Sequence, residues 1–266
     1  MKDILLWEED VPFFKEEYGQ AAPSLTPFLL DSTDGKKRGC MIVCPGGGYG
    51  ARMDYEGAPI SKRFNEVGIS SFVLNYRVAP YNGDAYMADV NRAVRLVRSR
   101  ADEFGIDPEK IGLIGFSAGG HLACAGATHF DAGLDTGDEI DRASSRPNAA
   151  ILSYGVNSLM DEITHADTRN RFVGYSDDPD KTAYEFSGEN SVTELTPPMF
   201  IWHTVGDTLV PVENAIRMAI AMSAKKIPYE LHIFPEGDHG DGLLGDVACA
   251  REWFRLAADW LSRLGF

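Results

Sequence analysis

The sequence predicts an α/β fold, a mostly parallel twisted sheet wrapped by helices on both faces. Three observations lead there. Short β-type runs alternate with amphipathic helical stretches along most of the 266 residues. The later runs are nearly all apolar, the pattern of strands covered on both faces. Finally, Gly115-Phe116-Ser117-Ala118-Gly119 falls between a strand pattern and a helix pattern. A sharp strand-to-helix turn needs small residues beside its apex, because larger side chains would collide with the adjoining strand or helix.

Strands are expected at 26–30, 40–44, 70–76, 110–114, 149–154, 198–204 and 229–234. The first two have no helix between them, which predicts an antiparallel edge. A helix is expected over 85–104, with Tyr86, Val90, Val94 and Val97 on one face and Arg92, Arg95, Arg98 and Arg100 largely on others. The last helix, 246–264, buries Ala250, Phe254, Ala257 and Leu261 by the same spacing, with Trp253 and Trp260 flanking the stripe. The segment 155–197 is rich in Asp, Ser, Thr, Asn and Gly and carries no strong pattern. A stretch of that length inserted after a central strand predicts a lid or cap over a pocket. No internal repeat or low-complexity linker divides the chain, so one domain over 1–266 is expected.

A net charge of -15 argues against nucleic acid or an anionic membrane as partner and fits a neutral substrate. No apolar run is long enough to cross a bilayer. Acidic residues follow the short apolar stretch at the N-terminus, unlike a signal peptide, so a cytoplasmic location is expected. Cys40, Cys44, Cys124 and Cys249 lack C-x-x-C spacing and have no histidine at zinc-finger distance. They read as reduced core thiols, and no metal site is expected.

A serine hydroxyl is a weak nucleophile until a base takes its proton, an acid orients that base, and donors await the oxyanion. Ser117 is the expected nucleophile. His239 is the expected base, because it lies in a glycine-rich loop after strand 229–234 and before the final helix. His203 and His232 lie inside strand patterns, His129 and His165 have no comparable setting, and His121 is expected to pack beneath the serine turn. Asp207, in the turn after strand 198–204, is the expected acid, with an Asx turn or a helix cap as its plainer reading. Asp238 and Asp241 compete by their nearness in sequence, although an orienting carboxylate should come from another loop. The order serine, aspartate, histidine favours Asp207. The oxyanion donors are expected from the backbones of Gly47 or Gly48 and of Ala118, since glycine lets amide groups approach without a Cβ in the way.

The chain resembles the α/β-hydrolase superfamily over nearly its whole length, and more narrowly its acetyl xylan esterase and feruloyl esterase-like branch of carbohydrate esterases. The resemblance rests on Cys44-Pro45-Gly46-Gly47-Gly48-Tyr49, Asn75-Tyr76-Arg77 and Asp107-Pro108, on the stretch from Ile111 to Ala123, and on Thr196-Pro197-Pro198 and Phe234 to Gly240. One departure is Val205-Gly206 before Asp207, where relatives often carry a second acidic residue. The resemblance implies hydrolysis of short-chain esters, typically acetyl groups on sugars, without metal or organic cofactor. Its expected partner is a small-molecule or oligosaccharide ester, and a homo-oligomer stays open. Tyr49, Tyr76 and Arg77 are candidate substrate contacts, with a structural role as the other reading of Tyr76, Arg77 and Tyr184. A general small-ester esterase or lipase, a peptidase or amidase on the same fold, and a catalytically silent binding protein are the alternatives.

Overall fold

Eight strands form one sheet: β1 (Ile4–Leu5), β2 (Ser24–Phe28), β3 (Arg38–Cys44), β4 (Ser70–Asn75), β5 (Ile106–Phe116), β6 (Ala149–Ser153), β7 (Met199–Thr204) and β8 (Tyr229–Phe234). They come from a computed structural model that describes residues 2–31, 35–135, 137–174, 176–240 and 247–266, without the side chains of 248–250. Asp241 and the side chains of Cys249 and Ala250 therefore lie outside the described residues. The helices are α1 (Ala58–Glu66), α2 (Gly83–Ser99), α3 (Ala101–Phe104), α4 (Ala118–Thr128), α5 (Ala166–Val173), α6 (Pro179–Glu185), α7 (Gly188–Ser191), α8 (Glu213–Ala224) and α9 (Ala248–Arg263). None among the described residues is long and apolar enough to cross a membrane.

The strand order is β1-β2-β4-β3-β5-β6-β7-β8. Pairing is antiparallel for β1 with β2 and for β2 with β4, and parallel from β4 through β8. The first two long strands do not pair with each other, contrary to the expected antiparallel edge. β2 does run antiparallel, but beside β4, whereas β3 enters the middle of the sheet between β4 and β5. The reason is burial: Cys40 to Cys44 have no exposed surface, so this strand needs neighbours on both edges and layers on both faces.

One face of the sheet packs against α2, α4 and α8 through Val90, Val94, Val97, Leu122, Met218 and Met222. The other is covered by α1 and α9, where Ile60, Phe64, Trp253, Phe254 and Leu261 meet Met41, Val43, Ile114, Phe116 and Trp202. Trp253 stacks on Trp202 with centroids 5.2 Å apart. The expected helix over 85–104 breaks at Arg100 into α2 and α3. Two of its arginines, Arg92 and Arg95, are less exposed than the helical spacing suggests, because Asp131, Asp138 and Asp141 lie over them. Arg92 is buried and pairs with Asp138 and Asp141, and Arg95 is buried and pairs with Asp131. The segment 155–197 contains the short helices α5, α6 and α7. Phe172 of α5 packs among Tyr49, Tyr86, His121 and Phe186.

Candidate active site

Parallel strands bring their C-terminal ends to one edge of a sheet, so the loops after β3, β5, β7 and β8 converge there. The turn between β5 and α4 is a single residue, Ser117, with φ 53° and ψ −120°, a conformation a non-glycine residue rarely holds. Its neighbours explain how it is held. A Cβ on Gly115 would run into the carbonyl of Gly119, and one on Gly119 into the carbonyls of Cys44 and Pro45. Glycine at both positions lets the elbow close against the loop after β3.

Ser117 Oγ lies 2.8 Å from His239 Nε2, and His239 Nδ1 lies 2.7 Å from Asp207 Oδ2. The structure thus brings together the three side chains named from the sequence, from the ends of β5, β8 and β7. Asp207 Oδ1 accepts N–H bonds from Leu209 at 3.0 Å and Val210 at 2.8 Å. Oδ2 is also 3.1 Å from His203 Nε2. Burial pushes the Asp207 carboxyl up, but the hydrogen bonds from His203, His239 and the Val210 amide overcome it and hold the group well below the usual carboxylate range. Asp238, the competing acid, instead accepts the backbone N–H of His239 at 2.8 Å and the Thr208 hydroxyl at 3.2 Å, bonds that shape the two loops.

Gly47 and Gly48 both take positive φ, 123° and 60°. The amides of Gly47, Gly48 and Ala118 donate to no acceptor among the described residues. Ala118 is the first residue of α4, where an amide has no intrahelical partner and the helix dipole favours negative charge. The Gly48 carbonyl is tied down by Arg171 Nη1 at 2.8 Å.

The candidate substrate contacts lie elsewhere. Tyr49, Tyr76 and Arg77 are all buried and their polar atoms are taken by internal partners. Tyr49 OH is 2.8 Å from His121 Nδ1, and Tyr76 OH donates to the Pro45 carbonyl at 2.5 Å. Arg77 pairs with Asp89 at 2.7 Å, with both side chains fully buried. These three support the floor of the site, whereas Tyr184 is exposed on α6. His121 packs beneath the elbow, as its spacing predicts, and its Nε2 is 3.0 Å from the Phe186 carbonyl.

Three residues at the site have partners that sequence reasoning does not assign. Glu56 is buried beside the glycine loop, Tyr154 packs edge-on to the His239 ring with centroids 5.1 Å apart, and His203 backs Asp207. An isolated glutamate in a polar stretch, and a tyrosine closing an apolar strand, carry no local signal that sets them apart. His165 also comes to the glycine loop, its Cε1 3.6 Å from where a Cβ on Gly48 would stand. Cys40, Cys44 and Cys124 are buried free thiols, with burial pushing each one up.

Residues 28–222 match the BD-FAE family. The chain is 38% identical over 240 residues to endo-1,4-β-xylanase B of Butyrivibrio fibrisolvens, a match covering 88% of this chain and 37% of that one. It is 33% identical over 242 residues to the acetylxylan esterase of Xylanibacter ruminicola, covering 90% and 46%. It therefore spans less than half the length of either relative. Among solved structures, the acetyl ester-xyloside bifunctional hydrolase of Caldicellulosiruptor lactoaceticus superposes with a TM-score of 0.95 at 44% identity, covering 100% of this chain and 97% of the other. With the strand order and the loops at its carboxyl edge, these matches identify the chain as a member of the BD-FAE family with an α/β-hydrolase fold.

Proposed function

We propose that the protein is a serine ester hydrolase that removes short acyl groups, acetyl foremost, from carbohydrates. The observation that carries this reading is the hydrogen-bonded line from Ser117 through His239 to Asp207. In the proposed reaction His239 Nε2 takes the Ser117 proton while Oγ attacks the ester carbonyl carbon. The amides of Gly47 or Gly48 and of Ala118 receive the negative charge that develops on the carbonyl oxygen. The carbon–oxygen bond to the sugar then breaks, and protonated His239, steadied by Asp207, gives its proton to the departing sugar oxygen. Water, deprotonated by the same imidazole, attacks the acyl-serine and releases the carboxylic acid and free Ser117.

The carbohydrate part of the reading draws on two relatives named for action on xylan or its acetyl esters, and on a structural neighbour named an acetyl ester-xyloside hydrolase. The segment 155–197 is proposed as the cap, its α5 tied to the glycine loop through Arg171. Fluorophosphonate labelling of Ser117 tests the catalytic assignment, and absence of labelling in the folded protein refutes it. Rates on acetyl, butyryl, octanoyl and feruloyl esters, then on acetylated xylo-oligosaccharides, test the substrate. Fastest turnover of octanoyl esters with none of acetylated sugars overturns the carbohydrate assignment.

A further inference from the structure

Glu56 is a buried carboxylate that the proposed reaction does not use. Its Oε2 accepts the Gly46 N–H at 2.6 Å, and its Oε1 accepts the Tyr154 hydroxyl at 2.6 Å. These two contacts tie together separate walls of the site. Gly46 precedes Gly47 and Gly48 in the loop after β3, while Tyr154 follows β6 and lays its ring edge-on to His239. In the sheet β3 and β6 flank β5, the strand that ends at Ser117. Glu56 thus reaches across the end of the nucleophile's own strand. The space is tight: a Cβ on Gly46 would stand 2.7 Å from Glu56 Oε2 and 3.0 Å from Ser117 Cβ.

From this geometry we infer that Glu56 is a positioning residue, a bridge that fixes the oxyanion amides and the His239 ring at one mutual distance. The inference rests on the hydrolase reading above. A buried carboxylate is costly to keep unless hydrogen bonds satisfy it, and here each oxygen has one strong donor. Both donors are elements that a serine hydrolase must hold still. Tyr154 is itself fixed, with φ 36° and its ring edge-on to Trp202. Burial raises the Glu56 carboxyl above the usual carboxylate range, against the bonds from Tyr154 and Gly46 and the nearness of His239, which pull it down. Charge is not what the bridge requires. A glutamine can accept the Gly46 N–H through its carbonyl oxygen and donate its amide N–H to the Tyr154 oxygen, so the span survives without the negative charge.

The test is steady-state hydrolysis of p-nitrophenyl acetate by wild type, Glu56→Ala, Glu56→Gln and Tyr154→Phe, with a thermal melt of each. Loosening a reacting geometry by about an ångström costs on the order of 100-fold. Glu56→Ala is expected to lower kcat by about that factor with KM within threefold. Glu56→Gln is expected to regain most of the loss. Tyr154→Phe keeps the ring against His239 and removes only one bond of the bridge, so about a tenfold fall in kcat is expected, and this variant decides the matter if Glu56→Ala does not fold. A folded Glu56→Ala or Tyr154→Phe with wild-type kcat overturns the inference, as does a rise in KM alone. Failure of the wild type to hydrolyse the ester refutes the hydrolase reading instead, so the two failures are distinguishable.

Discussion

Two histidines flank the same serine elbow, and both have partners at both ring nitrogens. His239 stands between Ser117 and Asp207 and keeps some exposure to solvent. His121, one helical turn after Ser117, stands between the Tyr49 hydroxyl and the Phe186 carbonyl and has none. The contacts are alike in length, but the charge of the partners differs. A carboxylate behind His239 stabilises an imidazolium. His121 Nε2–H donates to the Phe186 carbonyl and Nδ1 accepts the Tyr49 O–H, so a second proton on Nδ1 would displace that bond. Burial accordingly pushes its pKa down to about 4. A hydrogen-bonded imidazole near the proposed nucleophile is therefore not by itself a candidate base. The carboxylate and the open face distinguish the two.

The largest effect expected from this contrast is on rate. His239→Ala or Ser117→Ala should cost about 10^4-fold or more in kcat. His121→Phe should keep kcat within about tenfold while lowering the melting temperature, and equal losses at the two histidines would erase the distinction. Asp207→Asn removes the charge that sets His239 apart and should cost about 10^4-fold, the scale known for such a change in serine proteases. A loss below tenfold would shift the orienting role to another carboxylate.

The next effect is on stability against pH. An unfolded chain protonates His121 near 6.5, but the folded protein resists down to about 4. Between those values the unfolded state binds more protons, so this contribution is full above pH 6.5 and lost as the pH falls to 4. The total is about 3 kcal/mol. The stability gap between wild type and His121→Phe should narrow by that order across the window in urea titrations. Taking the difference cancels Asp89, whose burial pushes it up to about 6 and which acts in the opposite sense. A gap independent of pH would mean that His121 does not stay neutral in the fold.

The smallest effect is at Tyr49. Tyr49→Phe leaves His121 Nδ1 without its donor and should cost about 1–3 kcal/mol, the price of one buried unsatisfied acceptor. Ester hydrolysis by this variant should stay within about twofold of wild type, because the ring is stacked on Tyr86 and faces no solvent. A large change in KM would return Tyr49 to the substrate contacts.

Much of this is local and therefore legible in the chain. Apolar runs mark the buried strands β3 to β7, which need apolar surface on both faces, whereas β8, at the sheet edge, alternates with Glu230 and His232 and is only half-buried. Ser117, Asp207 and His239 were readable because each sits in a loop directly after a strand pattern, and the ends of parallel strands converge. The pairing order was not readable, since β3 precedes β4 in sequence yet lies beyond it from β2 in space. Tyr76 and Arg77 were open to two readings because a polar side chain after a strand can face the pocket or the interior. Only the positions of Pro45 and Asp89 decide between them.

The α/β class, the elbow at Ser117 and the loops that carry the proposed acid and base are legible in the chain, because they follow from residue type and from neighbours a few positions away. Tertiary structure alone decided that Glu56 joins Gly46 to Tyr154, that His203 backs Asp207, and that His121 is sealed in while His239 is open. Those relations pair residues from separate elements, most of them distant in sequence. Burial and hydrogen-bond partnership across such gaps exist only once the sheet has brought the loops together.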